Sequence, residues 1–470
     1  MTQSDTGGTA QEDTSMPAED KVKLQKKLSP SAQAILRFVQ LFEEKGEIDV
    51  FQEDAEFKRL RQIVLSYRGS LYSLLERRLQ EVIDLGGVEI ITQRDIMSLI
   101  VQLWEDNISK LTKTEVPYLE ATLKYPGDSL NPLSKWAGMS YAQARRAQKR
   151  LSDSEVLKIG GMLNLEQLGL ERVLIILESP SLVLSGPYCQ TMLFIDGHSP
   201  RVLIVAIVPS NKREDLLDTV RSFRNTTTNA SVYNLSPGKP SFSGLYSDPK
   251  KGWNLDLLHF RLMLRKGGDP ITLSDVPPPS LSEPTKFTYS ETRVMDAMTE
   301  SLDRTAQEIV AATKLSPSTV FRKRAQFLSN GTILPRARVN IPALNDRLLL
   351  LLSPEVGGNI SPAWQNLPLT YSSHITNLED KSERKVLLLS ALPTGSGSSV
   401  LDILNDETSK IDDYSAWSVA AGIGGLTKVS NLYDRRKNSW AWDVSRHFDA
   451  IGYSAARHEA SSSNTPLDLA

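Results

Sequence analysis

The chain has 470 residues, of which 40% are hydrophobic and 23% are charged. At roughly 100–200 residues per domain, this length predicts about three domains, and the composition excludes a chain that is disordered throughout. The 54 basic and 56 acidic residues give a formal net charge of -2, so a basic surface has to be sought segment by segment.

Cysteine and histidine usage excludes several kinds of site. Because Cys189 is the one cysteine, a disulfide framework, a thiolate metal site and an iron–sulfur cluster are excluded. The five histidines are scattered without zinc spacing, so we expect no metal and no cofactor. Residues 1–20 lack the apolar core of a signal peptide, and no apolar run approaches the roughly 20 residues that cross a bilayer. We therefore expect a soluble, cytoplasmic, nucleoid-associated protein without a membrane partner.

The N-terminal part predicts a tail followed by a helical module. Residues 1–28 are polar without an apolar period, which indicates a disordered tail. Ser29 followed by Pro30 is typical of a helix start, and apolar residues then recur at helical spacing. We predict an all-helical module over residues 29–112.

The rest of the chain carries an internal duplication. Met139-Ser140 matches Leu315-Ser316 at an offset of 176 residues, and one gap then aligns Leu151 with Leu328. Further on, Trp253 and Asp256 match Trp440 and Asp443 at an offset of 187, and we expect each Trp to pack on a small core and each Asp to cap a helix. Units of this size are too long for solenoid repeats and predict two tandem copies of a composite domain.

Each copy begins with the pattern of a winged helix-turn-helix. In the first copy, helices are predicted at 116–125, 130–137 and 141–151, with short wing strands at 156–159 and 162–165. In the second copy, helices are predicted at 292–301, 306–313 and 317–328, with wing strands at 333–334 and 338–341. The third helix of such a domain lies in the DNA major groove, which is about 12 Å wide.

Candidate DNA contacts follow from this docking geometry. Arg can read guanine, while Ser, Thr and Gln contact bases or phosphates. The candidates on the two third helices are Ser140, Gln143, Arg145, Arg146, Lys149, Arg150, Ser316, Ser318, Thr319, Arg322, Lys323 and Arg324. Basic residues on the wings are expected to contact phosphates and to make affinity depend on salt. These wing candidates are Lys158, Arg336 and Arg338.

The first of these domains has a nameable sequence pattern. Residues 138–170 contain Gly-Met-Ser, Arg-Arg-Ala-Gln-Lys-Arg-Leu-Ser and Leu-Glu-Gln-Leu-Gly-Leu. This run resembles the winged helix of the leucine-responsive/asparagine-regulator family, the archaeal and bacterial feast/famine regulators. The second copy resembles it through Leu315-Ser316, Arg322, Leu328 and Gly331-Thr332-Ile333. The resemblance covers the two winged helices well and the following domains loosely.

The resemblance implies a ferredoxin-like α/β module after each winged helix. In the family, these modules pair through their sheets and bind amino acids near a Gly-x-x-Asp turn. Here Gly197 is followed by Arg201 instead of Asp, and residues 380–385 contain no glycine, so we do not expect that pocket. The predicted segments after the helical module are a winged helix at 113–170, an α/β module at 171–266, a Pro-rich linker at 267–289, a second winged helix at 290–345, a second α/β module at 346–450 and a flexible tail at 451–470.

The sequence thus predicts an α+β protein with an N-terminal helical module followed by two tandem winged-helix plus ferredoxin-like α/β units. Its expected function is regulation of transcription through double-stranded DNA, with α/β modules that sense an effector or pair as a homodimer or an intramolecular pseudo-dimer. The glycine-rich segments 395–399 and 422–425 lack the lysine or the spacing of nucleotide-binding loops, so we expect no catalytic residue and no enzyme. Two alternatives stay open: an interaction scaffold of the transcription machinery and a tandem winged-helix replication initiator.

Overall fold

The computed structural model describes residues 24–46, 55–86, 89–223, 227–267, 286–408, 414–425, 428–443 and 449–462. These residues form two compact units, one ending at Ser109 and the other beginning at Lys110, and the predicted boundary at residue 112 is corrected accordingly. The architecture is α+β, as predicted. None of the described helices is long and apolar enough to cross a membrane.

The first unit is a helical module built on one apolar core. Ser29 starts the first long helix, since its Oγ accepts a hydrogen bond from the Ala32 amide at 3.2 Å. Leu24 and Leu28 are buried in this core, so the predicted tail is wrong for residues 24–28; residues 1–23 lie outside the described part. The long helices are α1 (Pro30–Lys45), α2 (Ala55–Ser66), α3 (Leu71–Asp84) and α4 (Gln93–Ser109).

The second unit contains both copies of the duplicated domain. The first copy comprises α5 (Glu115–Lys124), α6 (Leu130–Trp136), α7 (Tyr141–Asp153), β1 (Leu157–Leu163), β2 (Leu170–Glu178), β3 (Leu182–Ser185), β4 (Cys189–Ile195), β5 (Arg201–Pro209), α8 (Arg213–Ser222), β6 (Asn229–Leu235), β7 (Lys239–Phe242), β8 (Ser247–Asp248), β9 (Gly252–Trp253) and α9 (Leu257–Lys266).

The second copy repeats this order with few changes. It comprises α10 (Tyr289–Glu300), α11 (Ala306–Thr313), α12 (Pro317–Ser329), β10 (Ile333–Val339), β11 (Asp346–Leu352), α13 (Pro354–Trp364), β12 (Leu369–Asn377), β13 (Arg384–Leu392), α14 (Gly397–Thr408), β14 (Tyr414–Ser418), β15 (Ala421–Gly424), β16 (Tyr433–Asp434), β17 (Ser439–Trp440), β18 (Asp449–Gly452) and α15 (Tyr453–Ser462).

The two copies join first through their wing strands. Each copy supplies one continuous strand, and β1 pairs antiparallel with β10. The prediction of two short strands within each wing is therefore wrong. Gly160 and Gly161 do not turn the chain but let strand β1 lie close to the backbone of α10, because a Cβ on Gly160 would stand 2.6 Å from the Thr299 carbonyl oxygen.

The sequences of the two winged helices align without a gap from the third helix through the wing strand. α7 (141–153) and α12 (317–329) have equal lengths, and β1 and β10 follow each at the same distance. The buried Leu151 therefore corresponds to the buried Phe327, and the predicted gap that aligned it with Leu328 is wrong.

The α/β modules form one curled antiparallel sheet of ten strands. Its order is β14-β11-β13-β12-β6-β2-β5-β4-β15, and β7 also pairs with β12. Each module keeps the ferredoxin-like order, in which the first strand lies between the fourth and the third. Val419 and Ala420 alone connect β14 to β15, the two ends of this path, so the sheet curls back on itself.

The curled sheet has an apolar inner face and two helix-covered outer faces. Every second residue of β2 and of β11 points to the inner face, where Leu174 and Leu349 belong to one apolar cluster. The outer face of the second module packs under α9, α13 and α14, where Trp364 is fully buried. As expected, Asp256 caps a helix: its Oδ1 accepts from the His259 amide at 2.9 Å at the start of α9.

The C-terminal segment packs on the first module. β18 pairs with β3, and Ala456 and Ala460 of α15 are buried in the core beneath. Arg457 donates from Nε and Nη2 to both carboxylate oxygens of Asp196, at 3.1 and 2.8 Å. The predicted flexible tail is therefore wrong for residues 451–462, because this amphipathic segment buries apolar surface.

The predicted linker at 267–289 falls largely on residues 268–285, which lie outside the described part. Its last residues are structured: Phe287 is buried, and the Thr288 hydroxyl accepts from the Glu291 amide at 3.4 Å to cap α10. The second winged helix therefore begins within the predicted linker.

Candidate nucleic-acid interface

The start of α7 is fixed by a reciprocal cap. The Ser140 hydroxyl accepts from the Gln143 amide at 3.3 Å, while Gln143 Oε1 accepts from the Ser140 amide at 2.9 Å. Both side chains satisfy backbone groups that a helix start otherwise leaves unpaired. Ser140 and Gln143 thus orient the helix and are placed at its exposed end.

The outer face of α7 is basic. Arg145, Arg146 and Lys149 are exposed, whereas Ala144 and Ala147 are buried on the opposite face. Arg146 Nε donates within its own helix to the Ala142 carbonyl at 3.3 Å. Among the residues that the structure describes, no carboxylate pairs with these three cations. The face is therefore open to an anionic partner.

Arg150 has a different role from the other basic residues of α7. It forms an ion pair with Glu115 of α5, whose side chain is only 3% exposed. The Glu115 carboxylate also accepts from the Thr112 amide at 2.7 Å. Arg150 thus holds α7 against α5, which argues against its predicted DNA contact, and that contact stays a prediction.

Helix α12, the third helix of the second copy, begins with a similar cap. The Ser316 hydroxyl accepts from the Thr319 amide at 3.4 Å and lies 2.8 Å from the Thr319 hydroxyl. Ser318 and Arg322 are exposed on the outer face, beside Phe321, whose side chain is 61% exposed. This face therefore carries one cation and a large apolar group.

Two basic residues of α12 serve the domain itself. Lys323 pairs with Glu291 at the start of α10 and donates to Gln326 at 3.1 Å. Arg324 Nη2 donates to the Leu302 carbonyl at 2.9 Å. Their charged groups hold α12 against α10 and the residue Leu302 that follows it, so the predicted DNA contacts of both stay predictions with less support.

The wing cations are split between surface and interior. Lys158 is exposed and pairs with Glu155 at 3.3 Å. Arg338 is half-buried and donates to the Thr299 carbonyl at 3.1 Å. Arg336 is 7% exposed and its guanidinium lies 5.9 Å from the centre of the Tyr371 ring. Burial of Arg336 beneath the pairing of β1 with β10 argues against its predicted phosphate contact, which stays a prediction.

The two third helices are unequal at corresponding positions. At the offset of 176 residues, Arg145 corresponds to Phe321 and Lys149 corresponds to Ala325, while Arg146 and Arg322 agree. Helix α7 thus presents three exposed cations and helix α12 presents one. Of the described surface, α7 is the stronger candidate for a phosphate backbone.

Sequence reasoning missed a second basic feature, a cavity of about 320 Å³ between the wing strands and the sheet. Arg347 of β11 lines it together with Arg336, Arg338 and Lys158. A signal existed: an acidic residue followed by Arg opens the apolar strand of both copies, as Glu171-Arg172 and as Asp346-Arg347. Side chains along a strand point alternately to its two faces, so Arg347 has to lie on the same face as Leu349.

The described residues contain no group of three His, Cys, Asp or Glu side chains placed to hold a metal ion. Burial raises the pKa of the Cys189 thiol to about 12, so the thiol is protonated and a weak nucleophile at neutral pH.

Comparison with known proteins gives a structural likeness only. No protein-family model and no curated protein matches the chain. A crystal structure of the siroheme decarboxylase NirDL matches with a TM-score of 0.39 and 11% identity, covering 68% of this chain and 98% of that one. The same protein in complex with an iron-uroporphyrin III analogue matches with a TM-score of 0.38 and 11% identity, covering 67% and 96%.

This comparison corrects one expectation. The sequence led us to expect that the chain is no enzyme, and that expectation is contradicted, because the similar structures are those of an enzyme. A likeness of this TM-score and identity assigns no activity to the chain.

Proposed function

We propose that the chain is a regulator of transcription that binds double-stranded DNA, chiefly through α7. The observation that carries this proposal is the outer face of α7, where Arg145, Arg146 and Lys149 are exposed without an acidic partner among the described residues. A basic helix of this kind, preceded by a short helix and a capped turn, suits a major groove and its flanking phosphates.

The second winged helix contributes less to the proposed DNA contact. Arg322 is its one exposed cation on the outer face of α12, next to Ser318. We expect α12 to add a weaker contact in the same duplex, so the two winged helices would bind asymmetrically.

Binding of labelled duplex DNA, followed by fluorescence anisotropy, tests the proposal. The double variant Arg145→Ala/Arg146→Ala should weaken binding about tenfold or more, since each charged contact contributes about 1 kcal/mol or more. Arg384→Ala is the matched control, because Arg384 is exposed at the start of β13. Equal affinities of the double variant and the control would refute a contact through α7.

An observation on α12 favours a second candidate function, the protein-interaction scaffold. Phe321 is 61% exposed and Leu328 is 39% exposed on a helix whose counterpart carries cations. Apolar side chains gathered on one helix suit a protein partner better than a phosphate backbone. If α12 docks a protein instead of DNA, Arg322→Ala will leave duplex affinity unchanged while Phe321→Ser abolishes the protein contact.

We also propose that the two copies act as an intramolecular pseudo-dimer. The pairing of β1 with β10 supports this, as do the matching pairs of β12 with β7 and of β4 with β15. Light scattering of the full chain should then give the mass of one chain, 52.2 kDa. A dimer at all concentrations would count against this arrangement.

A further inference from the structure

The cavity between the paired wing strands and the curled sheet combines apolar walls with basic groups. Its volume is about 320 Å³, which is the size of a small metabolite. Leu369 and Leu389 of the sheet and Ile341 after the wing give it apolar walls. Gly238 lies so close to the Tyr371 ring, another wall, that a Cβ there would stand 2.1 Å from a ring carbon.

Basic residues outnumber acidic residues in the lining of this cavity. Four of its lining residues are basic, and Glu155 is the one acidic residue that lines it. Glu155 pairs at 3.3 Å with Lys158, and both side chains are about half exposed. Of the three arginines in the lining, Arg347 forms no ion pair with a carboxylate of the described residues.

Arg347 is a half-buried basic residue whose charge has no evident role in the fold. It shares the inner face of β11 with the buried Leu349 and Leu351, two and four residues further along the strand. Its backbone carbonyl accepts from the Val419 amide at 2.8 Å, but among the described residues nothing accepts a hydrogen bond from its guanidinium. Burial lowers the pKa of this guanidinium, which nevertheless stays charged at neutral pH.

A half-buried guanidinium without a partner costs free energy that an anion in the cavity would recover. The neighbouring cations are held in place for such an anion. The Arg336 guanidinium lies over Tyr371, and Arg338 is fixed by its hydrogen bond to the Thr299 carbonyl. A guanidinium has five N–H donors, so these contacts are compatible with a further acceptor.

We propose that this cavity binds a small organic oxyanion, a carboxylate or a phosphate ester, whose charged group lies against Arg347 and whose apolar part packs on Leu369 and Leu389. Such a ligand touches both the wing strands, through Arg336 and Arg338, and the sheet, through Arg347. The proposal does not depend on DNA binding and can fail or succeed separately from it.

Isothermal titration calorimetry of the full chain tests the proposal with two probes that each carry an apolar ring, benzoate as a carboxylate and phenyl phosphate as a phosphate ester, at matched ionic strength. At least one probe should bind with a Kd of about 1 mM or tighter. Arg347→Gln should weaken that binding about tenfold or more, and Arg347→Lys should weaken it less. Arg384→Gln makes the same chemical change on an exposed strand end and should have no effect.

Thermal unfolding of the same variants separates a ligand role from a structural one. If Arg347 binds the anion and has no structural role, the melting temperature of Arg347→Gln without a probe will be no lower than that of the wild type. The probe will then raise the melting temperature of the wild type but not that of the variant. The proposal is overturned if neither probe binds the wild type, or if Arg347→Gln binds the probe as tightly as Arg384→Gln does. The probe that binds identifies the oxyanion as a carboxylate or a phosphate.

Discussion

Gly160 of β1 lies directly opposite Arg336 of β10, and the two residues are counterparts in the two copies of the duplicated domain. Antiparallel pairing of counterpart positions places a local two-fold axis between them. A homodimer has such an axis at its interface, with the same residue on both sides. Here one chain supplies both sides, so the axis can carry a glycine facing an arginine.

This asymmetry has a steric reason. A Cβ on Gly160 would stand 2.4 Å from Arg338 Nη1 and 2.6 Å from the Thr299 carbonyl oxygen. The backbone of α10 leaves no room for a side chain at this point, whereas Arg336 on the facing strand turns toward Tyr371. With glycine at position 160, strand β1 and helix α10 approach each other more closely than an arginine or any other side chain at that position would allow.

Gly160→Ala should destabilise the second unit. The added methyl group meets a backbone carbonyl that cannot move without shifting α10, and overpacking of this kind costs about 1–3 kcal/mol. Urea unfolding checks this, with Gly425→Ala as the control, because a Cβ on Gly425 meets no atom within 4 Å. Equal unfolding midpoints for the two variants would contradict the close packing of β1 on α10.

Arg150→Ala should lower stability, although Arg150 belongs to the basic helix α7. Its loss leaves the Glu115 carboxylate, 3% exposed, without its charged partner, which costs about 3 kcal/mol. Arg146→Ala, on the exposed face of the same helix, should change stability by about 0.5 kcal/mol or less. If Arg146→Ala proves the more destabilising of the two, the assignment of Arg150 to the domain core is wrong.

Asp296 should make stability depend on pH. Burial against the 429–432 segment raises the pKa of this carboxyl from 3.8 to about 6, although the Ser430 amide donates to it at 3.3 Å. The folded state therefore holds the proton more tightly than the unfolded state, and stability falls as pH rises between these two values. At about 1.4 kcal/mol per pH unit, the upper limit of this loss is about 3 kcal/mol.

The variant Asp296→Asn isolates this effect, because its amide does not titrate. The difference in free energy of unfolding between variant and wild type should grow in favour of the variant from pH 4 to pH 7, with an upper limit of about 3 kcal/mol. A difference that stays constant over this range would mean that Asp296 titrates normally in the folded chain.

The sequence predicted the α+β class, the three helices that open each copy and the strand order of the α/β modules. These features depend on local signals, such as the Ser140 and Ser316 caps and the apolar runs of β2 and β11. The pairing of wing strands between copies could not be predicted, because Gly160-Gly161 reads locally as a turn and its extended form depends on contact with α10.

The candidate site was predicted only in part for a related reason. A helical sequence shows which residues are basic but not which of them meet a carboxylate from another element. Arg150 forms an ion pair with Glu115, and Lys323 forms one with Glu291. Arg336 is buried against the sheet. The N-terminal and C-terminal tails were overestimated, since short apolar segments such as those around Leu24 and Ala456 find cores that their own sequence does not reveal.

The salt dependence of duplex binding shows directly whether α7 contacts DNA phosphates. The slope of log Kd against log salt concentration counts the phosphates that a protein contacts, at about 0.9 per contact. The triple variant Arg145→Ala/Arg146→Ala/Lys149→Ala removes the exposed cations of α7 and should flatten the slope by about 2–3 relative to the wild type and to Arg384→Ala. A slope equal to that of the wild type would contradict the account of α7 as the DNA-contacting helix.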